Sequence, residues 1–146
     1  MVKHKKLKYV KEFRKIMDYY PLKLPLPRIN PNIISGLSII TALLFILSLK
    51  YSKFLAFILI IVTLLFDWFD GLIAKKHNLG SEKGYIVDVA ADRISEGIMF
   101  IPFFVPWFYL FTLNCFLTLF SFIKYKHIIM NLRIVFMVYF LLTYII

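Results

Sequence analysis

The chain has 146 residues, 61% of them hydrophobic and 18% aromatic, with a mean hydropathy of +0.79 and a formal net charge of +10. This apolar excess excludes an ordinary soluble domain and leaves a single membrane-embedded one. The basic residues lie beside apolar segments and form no separate soluble module, so anionic headgroups and phosphorylated substrates account for them better than nucleic acid does.

Residues 1–20 carry seven lysines and arginines, with Val10, Phe13, Met17 and Tyr20 at helical spacing. That pattern predicts an amphipathic helix lying in the membrane interface. A signal peptide would need an apolar core and a small-residue cleavage site, and the stretch has neither. Pro21, Pro25, Pro27 and Pro31 make residues 21–31 an extended connector.

Residues 32–146 are predicted to form an all-α polytopic transmembrane bundle, because uncharged runs such as 32–49 and 97–123 suffice to cross a bilayer as helices. Asn32 can cap the first helix, expected over 32–49, and a turn at 50–53 leads to a second over 54–75. A polar loop follows, with Asn78 and Gly80 as breakers. A third helix starts near Gly84, Pro102 and Pro106 bracket a turn, and further helices cover 107–123 and 128–146. The count is therefore five spans. The single cysteine, Cys115, lies in an apolar run, where it is read as packing.

Six of the eight acidic residues fall between Asp67 and Glu96. Asp67 and Asp70 stand at i and i+3, and Asp88 and Asp92 at i and i+4, so each pair shares one helix face. The hairpin between the two helices brings both pairs to one membrane side. Four converging carboxylates need cationic compensation, and hard oxygen ligands suit Mg²⁺ or Mn²⁺. Lysine and arginine placement puts this side in the cytoplasm: nine precede Asn32, three lie in the hairpin and two at 124–126, against Lys50 and Lys53 opposite. Arg93 and Arg133 are expected to snorkel toward the basic side.

The stretch 67–92 closely resembles the signature of the CDP-alcohol phosphatidyltransferase family, D-x2-D-G-x2-A-R-x8-G-x3-D-x3-D. Asp67, Asp70, Gly71, Ala74, Gly84, Asp88 and Asp92 match with every spacing kept, and Lys75 stands where the family has arginine. The resemblance implies an enzyme that moves a lipid phosphate from a CDP-linked lipid, diacyl or archaeol-like, to an alcohol and releases CMP. It implies Asp67, Asp70, Asp88 and Asp92 as ligands of Mg²⁺ or Mn²⁺, two ions per site, and Asp92 also as the base that deprotonates the acceptor. It further implies room for the nucleotide at Gly71, Ala74 and Gly84, a diphosphate contact at Lys75, six spans rather than five, and a homodimer.

Arg93, Glu96, Lys124, Lys126 and Arg133 are candidates for recognising the alcohol, since a charge within a membrane segment is presumed functional. For Arg93 the competing reading is a salt bridge to Glu96, one turn on. The Phe and Tyr residues after position 99 are expected to face lipid or anchor the interface. An aspartate-rich intramembrane prenyltransferase and a cation carrier are the alternatives, the first disfavoured by the short separation of the two pairs and the second by their one-sided placement.

Overall fold

A computed structural model describes residues 25–124 and 131–146, in which five α-helices and no strands are found. The interfacial helix expected over 1–20 and most of the connector lie outside these residues, while 25–30 are extended as expected.

Each of the first three helices begins at a side-chain cap. In α1 (Pro31–Ser48), Asn30 accepts from the Asn32 N–H at 3.1 Å and Pro31 occupies the first turn, where a missing N–H costs nothing. The cap is thus Asn30, two residues before the expected Asn32. In α2 (Lys53–Lys76), Ser52 accepts from the Leu55 N–H at 3.3 Å. This helix is stopped by Asn78, whose φ of 52° reverses the backbone hand and lets the Leu79 N–H reach the Ala74 carbonyl at 2.9 Å. In α3 (Glu82–Phe100), Ser81 accepts from the Gly84 N–H at 3.0 Å.

A 3-10 turn over Ile101–Phe103 follows, carrying Pro102. In α4 (Phe104–Lys124), Val105 is extended (φ −118°, ψ 130°), as a residue before proline is driven to be, so the regular helix starts at Pro106. The prolines therefore bracket the break as their placement predicts. The last helix, α5 (Leu132–Tyr144), has 13 residues and is about 20 Å long, shorter than a hydrocarbon core of about 30 Å. Helices α1, α2 and α4 are long and apolar enough to cross a membrane. α3 reaches about 28 Å, but its charged residues keep it out of that class.

α1 packs on both α2 and α3. Its buried face carries Ser35, Ser38, Ala42 and Phe45, and small side chains here let neighbouring backbones approach. Thr41 and Thr63 bond across this seam at 3.0 Å. Farther along the bundle the core becomes aromatic. Phe136 meets Trp107 edge to face at 4.9 Å between centroids, Phe100 at 5.1 Å and Phe45 at 6.0 Å. Phe100, Phe136 and Phe140 are therefore interior, which corrects the expectation that the aromatics after position 99 face lipid. They face inward where α5 meets Phe45 of α1, Phe100 of α3 and Trp107 of α4. Phe108, Tyr109, Phe116 and Phe120 do lie on the outer surface.

Candidate functional site

The hairpin between α2 and α3 brings the two acidic pairs together. Asp67, Asp70 and Asp88 each offer an oxygen within 4.8 Å of the others. Asp70 is nearly fully buried and accepts from the Ser35 hydroxyl at 2.8 Å, which ties the cluster to α1. Asp88 Oδ1 is buried with no hydrogen-bond partner among the described residues. Three carboxylates in contact repel one another, and an orphaned buried oxygen asks for a cation. The donor set therefore fits a hard divalent ion such as Mg²⁺ or Mn²⁺.

Asp92 adjoins the trio at Asp67 and also meets a cation. Its Oδ1 accepts from Arg133 Nη2 at 2.6 Å, and the same nitrogen lies 3.1 Å from Asp67 Oδ2. Arg133 is only 2% exposed, so the expectation that it snorkels to the surface is corrected. The cause is electrostatic: two carboxylates give its charge a partner inside the bundle, so the side chain need not leave it.

One turn further along α3, Glu96 is fully buried and pairs with Arg93 at 2.6 Å, while Asn114 of α4 donates to the same oxygen at 3.0 Å. The salt bridge weighed for Arg93 is thus present. Lys124 closes α4, and Lys126 lies outside the described residues.

A cavity of about 620 Å³ opens beside the carboxylates. Asp70 and Asp88 line it together with Gly71, Ala74 and Gly84 of the hairpin helices and Arg28 of the connector. His77 Nε2–H reaches the Leu26 carbonyl at 3.2 Å, which holds the connector against the hairpin. Lys75 is exposed and does not line this cavity. Arg28 and Ser35 were not singled out by the sequence. Arg28 could have been suspected as a cation three residues before the first helix, but Ser35 carries no signal of its own.

The two glycines differ. A Cβ on Gly71 would meet nothing within 4 Å, whereas one on Gly84 would come 3.1 Å from Ser81 Oγ and 3.8 Å from Asn32 Oδ1. Gly71 has no packing partner to explain it, so the room it leaves belongs to the cavity.

The model of the CDP-alcohol phosphatidyltransferase family matches residues 28–144. The chain belongs to this family. The match extends well beyond the signature and takes in all five helices, which favours a phosphotransferase over the prenyltransferase and carrier alternatives. The family and the three long apolar helices together make the chain an integral membrane protein. No curated protein and no solved structure matches it.

These contacts separate a packing role for Gly71 from a ligand role. Gly71→Ala should leave the protein as stable or raise stability by about 0.5–1 kcal/mol, the helix-interior preference for alanine. It should also raise the KM for a CDP-lipid at least tenfold, by putting a methyl group into the cavity. Lower thermal stability with an unchanged KM would return Gly71 to a structural part.

Proposed function

We propose that the protein transfers the lipid phosphate of a CDP-linked lipid to an alcohol acceptor and releases CMP, with the site facing the cytoplasm. The observation that carries this reading is the carboxylate trio, two of whose members, Asp70 and Asp88, line a cavity of about 620 Å³ that Arg28 also lines.

In this reading Asp67, Asp70 and Asp88 hold Mg²⁺ or Mn²⁺. The bound cation would neutralise the diphosphate and the charge that develops on departing CMP. The nucleotide enters over Gly71, Ala74 and Gly84. Arg28, which lines the cavity, can pair with the diphosphate bidentately, where Lys75, one turn beyond Gly71, offers only a point charge from outside the lining. The acceptor hydroxyl attacks the lipid-side phosphorus, the bond from that phosphorus to the CMP oxygen breaks, and the hydroxyl proton passes to Asp92. Asp92 has one oxygen engaged by Arg133, so its other oxygen is the one to receive the proton. Arg93, Lys124, Lys126 and Arg133 remain the candidates for contact with the acceptor, and a homodimer the candidate assembly.

Purified protein given a CDP-lipid and a panel of alcohols should release CMP with at least one acceptor, and excess EDTA should abolish that release. In Arg28→Ala we expect about a tenfold rise in the KM for the CDP-lipid, the effect of losing one charge-assisted hydrogen bond of about 1.5 kcal/mol. CMP release at full rate in EDTA would remove the metal from the reaction, and an unchanged KM would remove Arg28 from the nucleotide site.

Orientation rests on the basic residues that flank the hairpin. A cysteine at Lys83, in a Cys115→Ala background, should react with an impermeant thiol reagent from the cytoplasmic face alone. Labelling from the outer face would reverse the topology.

A further inference from the structure

His77 caps the end of α2 and reaches out of the hairpin to the segment that precedes α1. Its Nε2 lies 3.2 Å from the Leu26 carbonyl, and a carbonyl oxygen only accepts, so Nε2 carries the proton in this contact. The backbone under the ring is fixed. The His77 N–H bonds to the Ile73 carbonyl at 3.1 Å, and the left-handed Asn78 that follows lets the Leu79 N–H close on the Ala74 carbonyl at 2.9 Å.

The segment it holds has little freedom of its own. Pro25, Pro27 and Pro31 lock φ at their positions, and Leu26, standing before a proline, is driven to extended backbone. The Ile29 N–H bonds to the Pro27 carbonyl at 3.0 Å, which closes a three-residue turn with Arg28 at its apex. Asn30 then joins the segment to α1 by accepting from the Asn32 N–H. Arg28 thus stands between two ties, one to α1 through Asn30 and one to the hairpin through Leu26. Among the described residues, His77 supplies the hydrogen bond that joins residues 25–29 to the hairpin. Without it the segment would keep its turn but pivot about Asn30, and Arg28 would move with it.

Arg28 lines the cavity together with Asp70, Gly71, Gly84 and Asp88, whereas His77 does not line it. We infer that His77 is a positioning residue for nucleotide binding: through the Leu26 carbonyl it sets the place of Arg28 at the cavity, and so the affinity for a nucleoside diphosphate, without touching the ligand itself. This rests on the nucleotide reading of the cavity given above.

Calorimetric titration of the full chain in detergent with CDP and Mg²⁺ reads this without turnover. His77→Leu keeps an apolar side chain of moderate bulk but removes the donor, and should weaken CDP binding about fivefold, within the range of one neutral hydrogen bond. His77→Gln, whose amide nitrogen can donate where Nε2 does, should bind within about twofold of the wild type. The decisive comparison is made in Arg28→Ala. There His77→Leu should weaken binding no further, because the group that His77 positions is gone.

CDP bound equally by the wild type and His77→Leu would overturn the inference and leave the nucleotide reading standing, whereas no CDP bound by the wild type would remove that reading and this one with it. The same loss on adding His77→Leu to Arg28→Ala would overturn it as well, by showing that His77 acts on the site through another group. So would a His77→Gln protein as weak as His77→Leu. Should His77→Leu fail to fold, His77→Ala in the same two backgrounds decides the matter.

Discussion

Negative charge in an apolar bundle is the constraint on which the rest of the structure depends. Four aspartates and Glu96 lie along facing stretches of α2 and α3, where leaving a carboxylate without a partner costs several kcal/mol. The fold answers with three kinds of compensation. Ser35 donates to Asp70, Arg133 crosses from the last helix to Asp92 and Asp67, and Arg93 with Asn114 closes on Glu96. What these leave least compensated is Asp88, whose Oδ1 has no hydrogen-bond partner among the described residues, beside Asp70, which has a hydroxyl for a partner. The site is thus centred on the acids that the protein's own cations satisfy least.

The architecture follows from bringing those groups within reach of one another. α1 must approach α2 and α3 closely for a hydroxyl to meet Asp70, and its face of serine, threonine and alanine permits that approach. The left-handed turn at Asn78 and the cap at Ser81 make the hairpin short, which sets the two acidic faces against each other. At the other end of α5 the aromatic cluster anchors the helix, and its first turn delivers Arg133 to the carboxylates. Packing, rather than proximity in sequence, places the guanidinium.

Local signals made much of this legible in the sequence. Capping residues, prolines and apolar runs located the helices to within a few residues, since each acts through its neighbours in the chain. The i, i+3 and i, i+4 spacing of the aspartates, with the hairpin between them, anticipated the convergence of Asp67, Asp70 and Asp88. The tertiary partners were not legible. Arg133 is 41 residues from Asp92, and Ser35 is 35 residues from Asp70, so nothing in the local pattern couples them. Phe100, Phe136 and Phe140 failed for a related reason. In an apolar sequence an inward ring and a lipid-facing ring are both hydrophobic, and only packing tells them apart.

If the trio is held together by a cation, the charge that destabilises it alone must stabilise it when the ion is bound. Unfolding stability of the detergent-solubilised chain, measured in chelator and in saturating Mg²⁺ for wild type and Asp88→Asn, reads this directly. Without divalent ion the variant should be as stable as the wild type or more so, because one repelling charge is gone. In Mg²⁺ at about a hundred times its Kd the wild type should gain about 2.7 kcal/mol and the variant far less, so that the order inverts. Equal gains in both proteins, or a wild type already the more stable in chelator, would contradict the account.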